Sequence, residues 1–173
     1  MNILSMLSKL GISFSAPKWL ITLLLMLRSG TQGASLSVRV VIFDATGAVF
    51  LVKHSYMKGW YFPGGGVDRG EVLVDAARRE MSEEARILAK AEPQLHGVFL
   101  YNKLKVPDYV ACFVVRDWVW DSEAEELPDG KSLDGEIIES GFFALDALPD
   151  GITKATRARL EEVATGIAPA KIW

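Results

Sequence analysis

Cysteine, histidine and positive charge are all scarce in this chain. A single cysteine, Cys112, among 173 residues excludes an intrachain disulfide and a cysteine-built zinc centre. Its apolar neighbours, Val110-Ala111 and Phe113-Val114-Val115, mark it as a small core residue. Two histidines, His54 and His96, are too few for a histidine-built metal site, and both read as ordinary strand or loop residues. With 19 Lys and Arg against 22 Asp and Glu the formal net charge is −3, without the basic excess of a dedicated nucleic-acid binder. The apolar run at residues 19–27 is nine residues long and interrupted by Thr22. As a helix it measures about 14 Å, less than half the hydrocarbon core of a bilayer.

What is present is a globular composition, 50% hydrophobic and 24% charged, in a chain of the length of one domain. Charge divides it unevenly. Residues 1–33 carry Lys9, Lys18 and Arg28 and no acid, leaving 16 basic and 22 acidic side chains in the other 140 residues. The break near Gly30-Thr31-Gln32-Gly33 separates a helical extension, 1–33, from a domain at 34–168 and a short C-terminal tail at 169–173. Ile3, Met6, Leu7 and Leu10 fall on one face of a helix. The extension is expected to fold against its own domain or a second copy of it, giving a homodimer. Peripheral membrane contact and targeting are the alternatives, although no small-x-small cleavage site follows the run. A cytoplasmic location, with or without membrane attachment, is the expectation.

From residue 35 the pattern alternates strand, helix, strand. Val38, Val40, Val41, Ile42 and Phe43 make a strand rich in β-branched residues, Val49 to Val52 is its expected partner, and the Asp44-Ala45-Thr46-Gly47 turn between them predicts a hairpin. Trp60-Tyr61-Phe62 is a short aromatic strand ending at Pro63 and three glycines. A helix is predicted over 72–85, strands over 95–102, 109–118 and 137–145, an acidic loop over 121–136, and a last helix over 153–165 that stops at Gly166. On that last helix Thr156, Leu160 and Val163 share a side.

The chemistry concentrates between residues 64 and 87. At 100° per residue Val74, Ala77, Met81 and Ala85 form the stripe that packs on a sheet, and Glu80, Glu83 and Glu84 lie on an adjoining face. Like charges at i, i+4, as at Glu80 and Glu84, destabilise a helix by a few tenths of a kcal/mol. A hard divalent cation resolves that conflict, because it takes carboxylate oxygens and substrate phosphates as ligands. Gly64, Gly65 and Gly66 allow close approach of backbone to a ligand, and the N-terminus of the following helix is expected to face the same loop.

Together these residues resemble the Nudix box, Gly-x5-Glu-x7-Arg-Glu-U-x-Glu-Glu-x-Gly-U with U a bulky aliphatic residue. Gly65, Glu71, Arg79, Glu80, Glu83 and Glu84 stand at its spacings, and Met81 and Ile87 occupy its U positions. At roughly 5–7 % usage per residue type, chance gives such a match with odds below about one in ten thousand. The flanks Trp60-Tyr61-Phe62-Pro63-Gly64-Gly65 and Phe143-Ala144-Leu145-Asp146-Ala147-Leu148-Pro149 agree, so the resemblance spans residues 35–165. One position departs: Arg86 replaces the glycine that ends the helix, a left-handed position costing a non-glycine residue about 1 kcal/mol.

The resemblance implies an α/β fold, a Nudix-type α/β/α sandwich with a mixed sheet, here preceded by the N-terminal helical extension. It implies a pyrophosphatase that hydrolyses a nucleoside diphosphate linked to another group, by water attack on phosphorus. Mg²⁺ or Mn²⁺ would be held by Glu80, Glu83, Glu84 and the Gly65 carbonyl, with Glu80 the first choice of base. Glu71 and Arg79 would pair and brace the loop. Glu136, at the end of the acidic loop, is a candidate auxiliary base or ligand. Arg39, Lys53, Lys58, Lys103 and Lys105 could face phosphates and Tyr101 a base, while Trp60 reads as packing. The substrate is a nucleotide-derived small molecule. The alternative, which only Arg86 favours, is a catalytically weak or inactive module that binds a nucleotide without cleaving it.

Overall fold

A computed structural model describes residues 34–103, 106–122 and 135–173. The expectations for the extension 1–33, for Lys105 and for most of the acidic loop lie outside those residues. Within them the order is β1 (Ser35–Ile42), β2 (Val49–His54), α1 (Leu73–Glu80) continued by a π-helical turn (Met81–Ala85), β3 (Ile87–Ala89), β4 (Gln94–Tyr101), β5 (Asp108–Val115), β6 (Trp118–Trp120), β7 (Ile137–Phe143) and α2 (Lys154–Thr165).

Strand β5 lies between β1, which it pairs in parallel, and β4, which it pairs antiparallel, so the sheet is mixed. Strand β2 pairs antiparallel with β7, and β3 with β6. Alternation along the strands sorts side chains between two cores. Val38, Val40, Ile42, Phe50, Val52, Ala111, Phe113 and Val115 face Ala76, Ala77, Met81 and Ala85. Val41, Val49, Leu51, Phe62, Phe99 and Cys112 cluster with Leu160 of α2. The result is the expected α/β/α arrangement, and Cys112 is the core residue predicted, its thiol pushed up to about 12 by burial.

Two expectations need correction. The turn after β1 forms, with Asp44 Oδ1 accepting from the N–H groups of Thr46 and Ala48 at 2.9 Å each, yet β1 and β2 do not make a hairpin ladder. They share a single bridge, Phe43 with Val49. One edge of β1 is taken by β5 and the other by the glycine segment, so β2 finds its partner in β7. The strand predicted over 109–118 likewise ends at Val115, and Trp118–Trp120 crosses to pair with β3.

Thr153 caps α2, accepting from Thr156 N–H at 3.1 Å, and Gly166 ends it at φ 70°. The final residues lie along β4: Leu100 N–H donates to the Lys171 carbonyl and Trp173 N–H to the Leu100 carbonyl, each at 3.0 Å. Beneath them Glu162 accepts from Arg159 Nε at 2.7 Å and from Ala170 N–H at 3.0 Å, with His96 Nε2 at 3.0 Å. Burial opposes the charge on Glu162, but hydrogen bonds from Arg159, His96 and the Ala170 N–H outweigh it and hold the carboxyl below its ordinary value. A depressed folded value contributes stability above the unfolded carboxylate value of 4.5 and loses it as pH falls through the folded one. Glu162→Gln is therefore expected to cost about 1–3 kcal/mol near pH 7. Thermal unfolding of variant and wild type between pH 7 and pH 3 checks this, the two curves converging at the acid end.

Candidate metal and phosphate site

Residues 63–67 run antiparallel along the free edge of β1. Val40 N–H donates to the Pro63 carbonyl and Val38 N–H to the Gly65 carbonyl, both at 2.9 Å, and Val67 N–H returns to the Leu36 carbonyl at 3.0 Å. Gly64 sits at φ +145°, where a Cβ would collide with the backbone of Val38 and Arg39, so only glycine fits. The Arg39 guanidinium donates to the Gly64 carbonyl. This placement also corrects the expectation that the loop faces the N-terminus of α1. The glycines lie beside the last turn of the helix and the π-helical turn: a Cβ on Gly65 would come within 2.6 Å of a Glu80 carboxylate oxygen, and Gly64 N–H donates to Glu84 Oε2 at 2.8 Å. The turn Asp68–Glu71, closed by Glu71 N–H to the Asp68 carbonyl at 3.0 Å, carries the chain back to the start of α1.

Arg79 organises the other side. Its Nε and Nη2 grip both oxygens of Glu71 at 2.8 and 3.0 Å. Nη1 reaches Glu80 Oε1 at 2.6 Å and Glu83 Oε2 at 3.1 Å, and Nη2 also reaches the Gly66 carbonyl at 3.0 Å. Glu71 in turn accepts from Asp68 N–H at 2.7 Å. The Glu71–Arg79 pair thus ties the loop to the helix.

The three box glutamates differ in surroundings. Glu80 is 4% exposed, and burial raises its pKa against the opposing charge of Arg79. Glu84 is raised well above the ordinary carboxylate range, by burial first and the Glu80 charge second. Glu83 turns outward, its side chain 38% exposed and paired with Arg79. The helix continues through a π turn over Met81–Ala85, from which Glu84 reaches Gly64 and His54. Arg86 closes the turn at φ 57°, ψ 34°, the left-handed conformation expected of the missing glycine.

Glu136 is 7% exposed and accepts from the Tyr56 hydroxyl. His54 is 2% exposed, with Nδ1 3.9 Å from Glu84 Oε1 and 3.8 Å from Glu136 Oε1. Burial, then the charge of Arg39, pushes its imidazole down to about 3, so it is neutral. One ligand atom from each of His54, Glu84 and Glu136 lies within 4.8 Å of the others, a cluster able to coordinate a divalent ion.

Sequence reading passed over His54 and Tyr56. The signal for His54 was its parity: Phe50 and Val52, four and two residues earlier, face α1, and the same side of β2 carries His54. Of the other candidates, Lys53 pairs with Glu139 at 3.1 Å, His96 with Glu162, and Trp60 packs edge-on against Phe143 at 4.8 Å, as expected for packing. Lys58 and Lys103 join none of these contacts among the described residues, and Tyr101 lies half-buried on β4.

The family model for the NUDIX domain matches residues 34–163. The chain belongs to the Nudix family. Its curated Nudix relatives include an RNA pyrophosphohydrolase of Bartonella bacilliformis, 43% identical over 56 residues that cover 27% of this chain and 33% of that one. The corresponding protein of Vibrio atlanticus is 40% identical over 59 residues, 34% of each chain. The match thus spans about a third of the length of these relatives. Among solved structures, a MutT NUDIX hydrolase from Burkholderia pseudomallei superposes with TM-score 0.62 at 25% identity, covering 75% of this chain and 98% of that one. A NUDIX hydrolase from Nitrosomonas europaea gives 0.61 at 19% identity over 77% and 90%, a likeness of fold. No helix among the described residues is long and apolar enough to cross a membrane.

Arg86 is where this Nudix chain departs from its box, and its cost is measurable. Arg86→Gly relieves a left-handed arginine while keeping its backbone bonds, Arg86 N–H to the Ser82 carbonyl at 3.2 Å and Asp121 N–H to the Arg86 carbonyl at 2.8 Å. The variant is expected to gain about 1 kcal/mol, a rise in Tm of about 2–4 °C by thermal unfolding. A fall in Tm would show that the arginine side chain contributes more than its backbone strain costs.

Proposed function

We propose that the domain at 34–168 is a metal-dependent nucleotide pyrophosphatase that cleaves the diphosphate of a nucleoside diphosphate linked to another group, by attack of water on phosphorus. The observation that carries this reading is the burial of Glu80 and Glu84 against the glycine backbone, with Glu136 brought to the same place from the far end of the sequence. Burying charged carboxylates costs several kcal/mol per ion, and a bound dication would supply compensation to Glu84 that its backbone hydrogen bond alone does not. Family membership supports the reaction class. The similarity to RNA pyrophosphohydrolases makes RNA a substrate to screen beside nucleotide-linked diphosphates.

Mg²⁺ or Mn²⁺ would be held by Glu80, Glu83, Glu84 and the Gly65 carbonyl, with Glu136 auxiliary, a reading supported by the cluster of Glu84 and Glu136 with His54, which is able to take a divalent ion. When bound, such an ion lowers the pKa of the attacking water and neutralises charge on the phosphoryl oxygens. The chain's own residues do the rest. Gly64 N–H and burial fix the direction of Glu84. Arg79 holds Glu80 and Glu83 in one register while Glu71 anchors the guanidinium. Tyr56 orients Glu136 by donating to one of its oxygens.

The non-cleaving module loses its one supporting feature, because Arg86 adopts the backbone conformation of the glycine it replaces. Glu84→Gln keeps shape and removes charge. It is expected to lower the rate of nucleoside monophosphate or phosphate release by about 100-fold or more with Mg²⁺ or Mn²⁺ present, a loss of about 3 kcal/mol of transition-state stabilisation. Nucleotide binding undiminished in Glu84→Gln, with wild type inert across the panel, would return the module.

A further inference from the structure

We propose that His54 supplies a nitrogen ligand to this metal centre, making it a mixed nitrogen and oxygen site that takes a transition-metal dication, Mn²⁺ or a heavier neighbour, in preference to Mg²⁺. The inference rests on the metal-dependent reading above and goes beyond it, since nothing in the box spacing requires a nitrogen donor.

Three observations carry it. First, the imidazole is 2% exposed, and both ring nitrogens lack a hydrogen-bond partner among the described residues. Leaving a buried polar atom unsatisfied costs about 1–3 kcal/mol, and Tyr56 and Tyr61 offer it only ring contacts, with centroids at 5.2 and 5.7 Å. Second, Nδ1 stands 3.9 and 3.8 Å from oxygens of Glu84 and Glu136. Those gaps are too long for hydrogen bonds, yet shorter than the roughly 4.2 Å that two metal–ligand bonds of about 2.1 Å can span. Third, the backbone aims the ring. The register of β2 on β7 shifts between Lys53 and His54, so that His54 pairs with Ile137, and Ser55 N–H holds the Glu136 carbonyl at 2.8 Å. The extra residue, Ile138, lies on β7, so the bulge sets the start of β7, next to Glu136, opposite His54.

The chemistry of the donors decides the metal. Mg²⁺ seeks oxygen and keeps its waters. Imidazole suits the first-row transition ions, whose affinity for nitrogen-containing sites rises from Mn²⁺ toward Cu²⁺. A neutral ring with Nδ1 unprotonated offers the lone pair that such an ion accepts.

The test uses the full chain with Mn²⁺ and Mg²⁺ alone as probes, in the absence of nucleotide. Pulsed EPR of bound Mn²⁺ is expected to show modulation from a coordinated imidazole nitrogen. The signal disappears in His54→Phe and His54→Gln but persists in His96→Gln, because His96, the other histidine of the chain, lies with Glu162. Calorimetric titration is expected to show Mn²⁺ affinity falling about tenfold or more in both His54 variants, while Mg²⁺ affinity changes much less. Thermal unfolding confirms that at least one of the two variants is folded. Mn²⁺ uptake that depends on Glu84 but carries no nitrogen signal, or equal losses for both ions on changing His54, overturns the role of His54 and leaves the metal centre standing. Failure of wild type to take up either ion overturns the metal centre itself, and this proposal with it.

Discussion

Two carboxylates buried on successive turns of one helix are the constraint around which this domain is arranged. Glu80 and Glu84 repel each other in a place where water does not screen them, and burying either without compensation costs several kcal/mol. The fold supplies that compensation from three directions. Arg79 comes from the helix itself, Arg39 from β1, and Gly64 N–H from the segment laid along the edge of β1. The last of these explains why the glycine run must be glycine. A side chain at 64 would strike the backbone of β1, and one at 65 would displace the Glu80 carboxylate. The loop is therefore part of the solvation of the acids, and the unpaired edge of β1 is used up in holding it.

How much of this could be read from the residues depends on the range of the interaction. The Glu71–Arg79 pair, the inward face of α1, the helix stop at 86 and the cap and stop of α2 were all legible, because each is set by spacing within a few residues. The two cores were legible in their period-2 pattern. Strand partnership was not: Val38 to Val52 satisfies a hairpin pattern perfectly well, and only competition for the edges of β1 sends β2 to β7. The pairing of Ile87–Ala89 with Trp118–Trp120 is too short to announce itself. Glu136 was legible as a candidate, while its burial beside His54 and Tyr56 comes from a sheet register that joins residues about eighty positions apart, which no local pattern encodes.

The box glutamates looked equivalent in the sequence, and the structure makes them unequal. Arg79 donates to Glu80 and Glu83 through one nitrogen, so both carboxylates are partly neutralised before any ligand arrives. Glu84 takes its described hydrogen bond from a backbone N–H, and the charge of Arg39 acts on it against burial and the charges of Glu80 and Glu136. Glu84 is thereby the box carboxyl that burial most discourages from carrying a charge, and the one that a dication would affect most. A dication taken up by these donors would sit where strand β2 and the start of β7 face the π-helical turn. That places the donor atoms of His54, Glu84 and Glu136 at the junction of three elements that only the complete fold brings together.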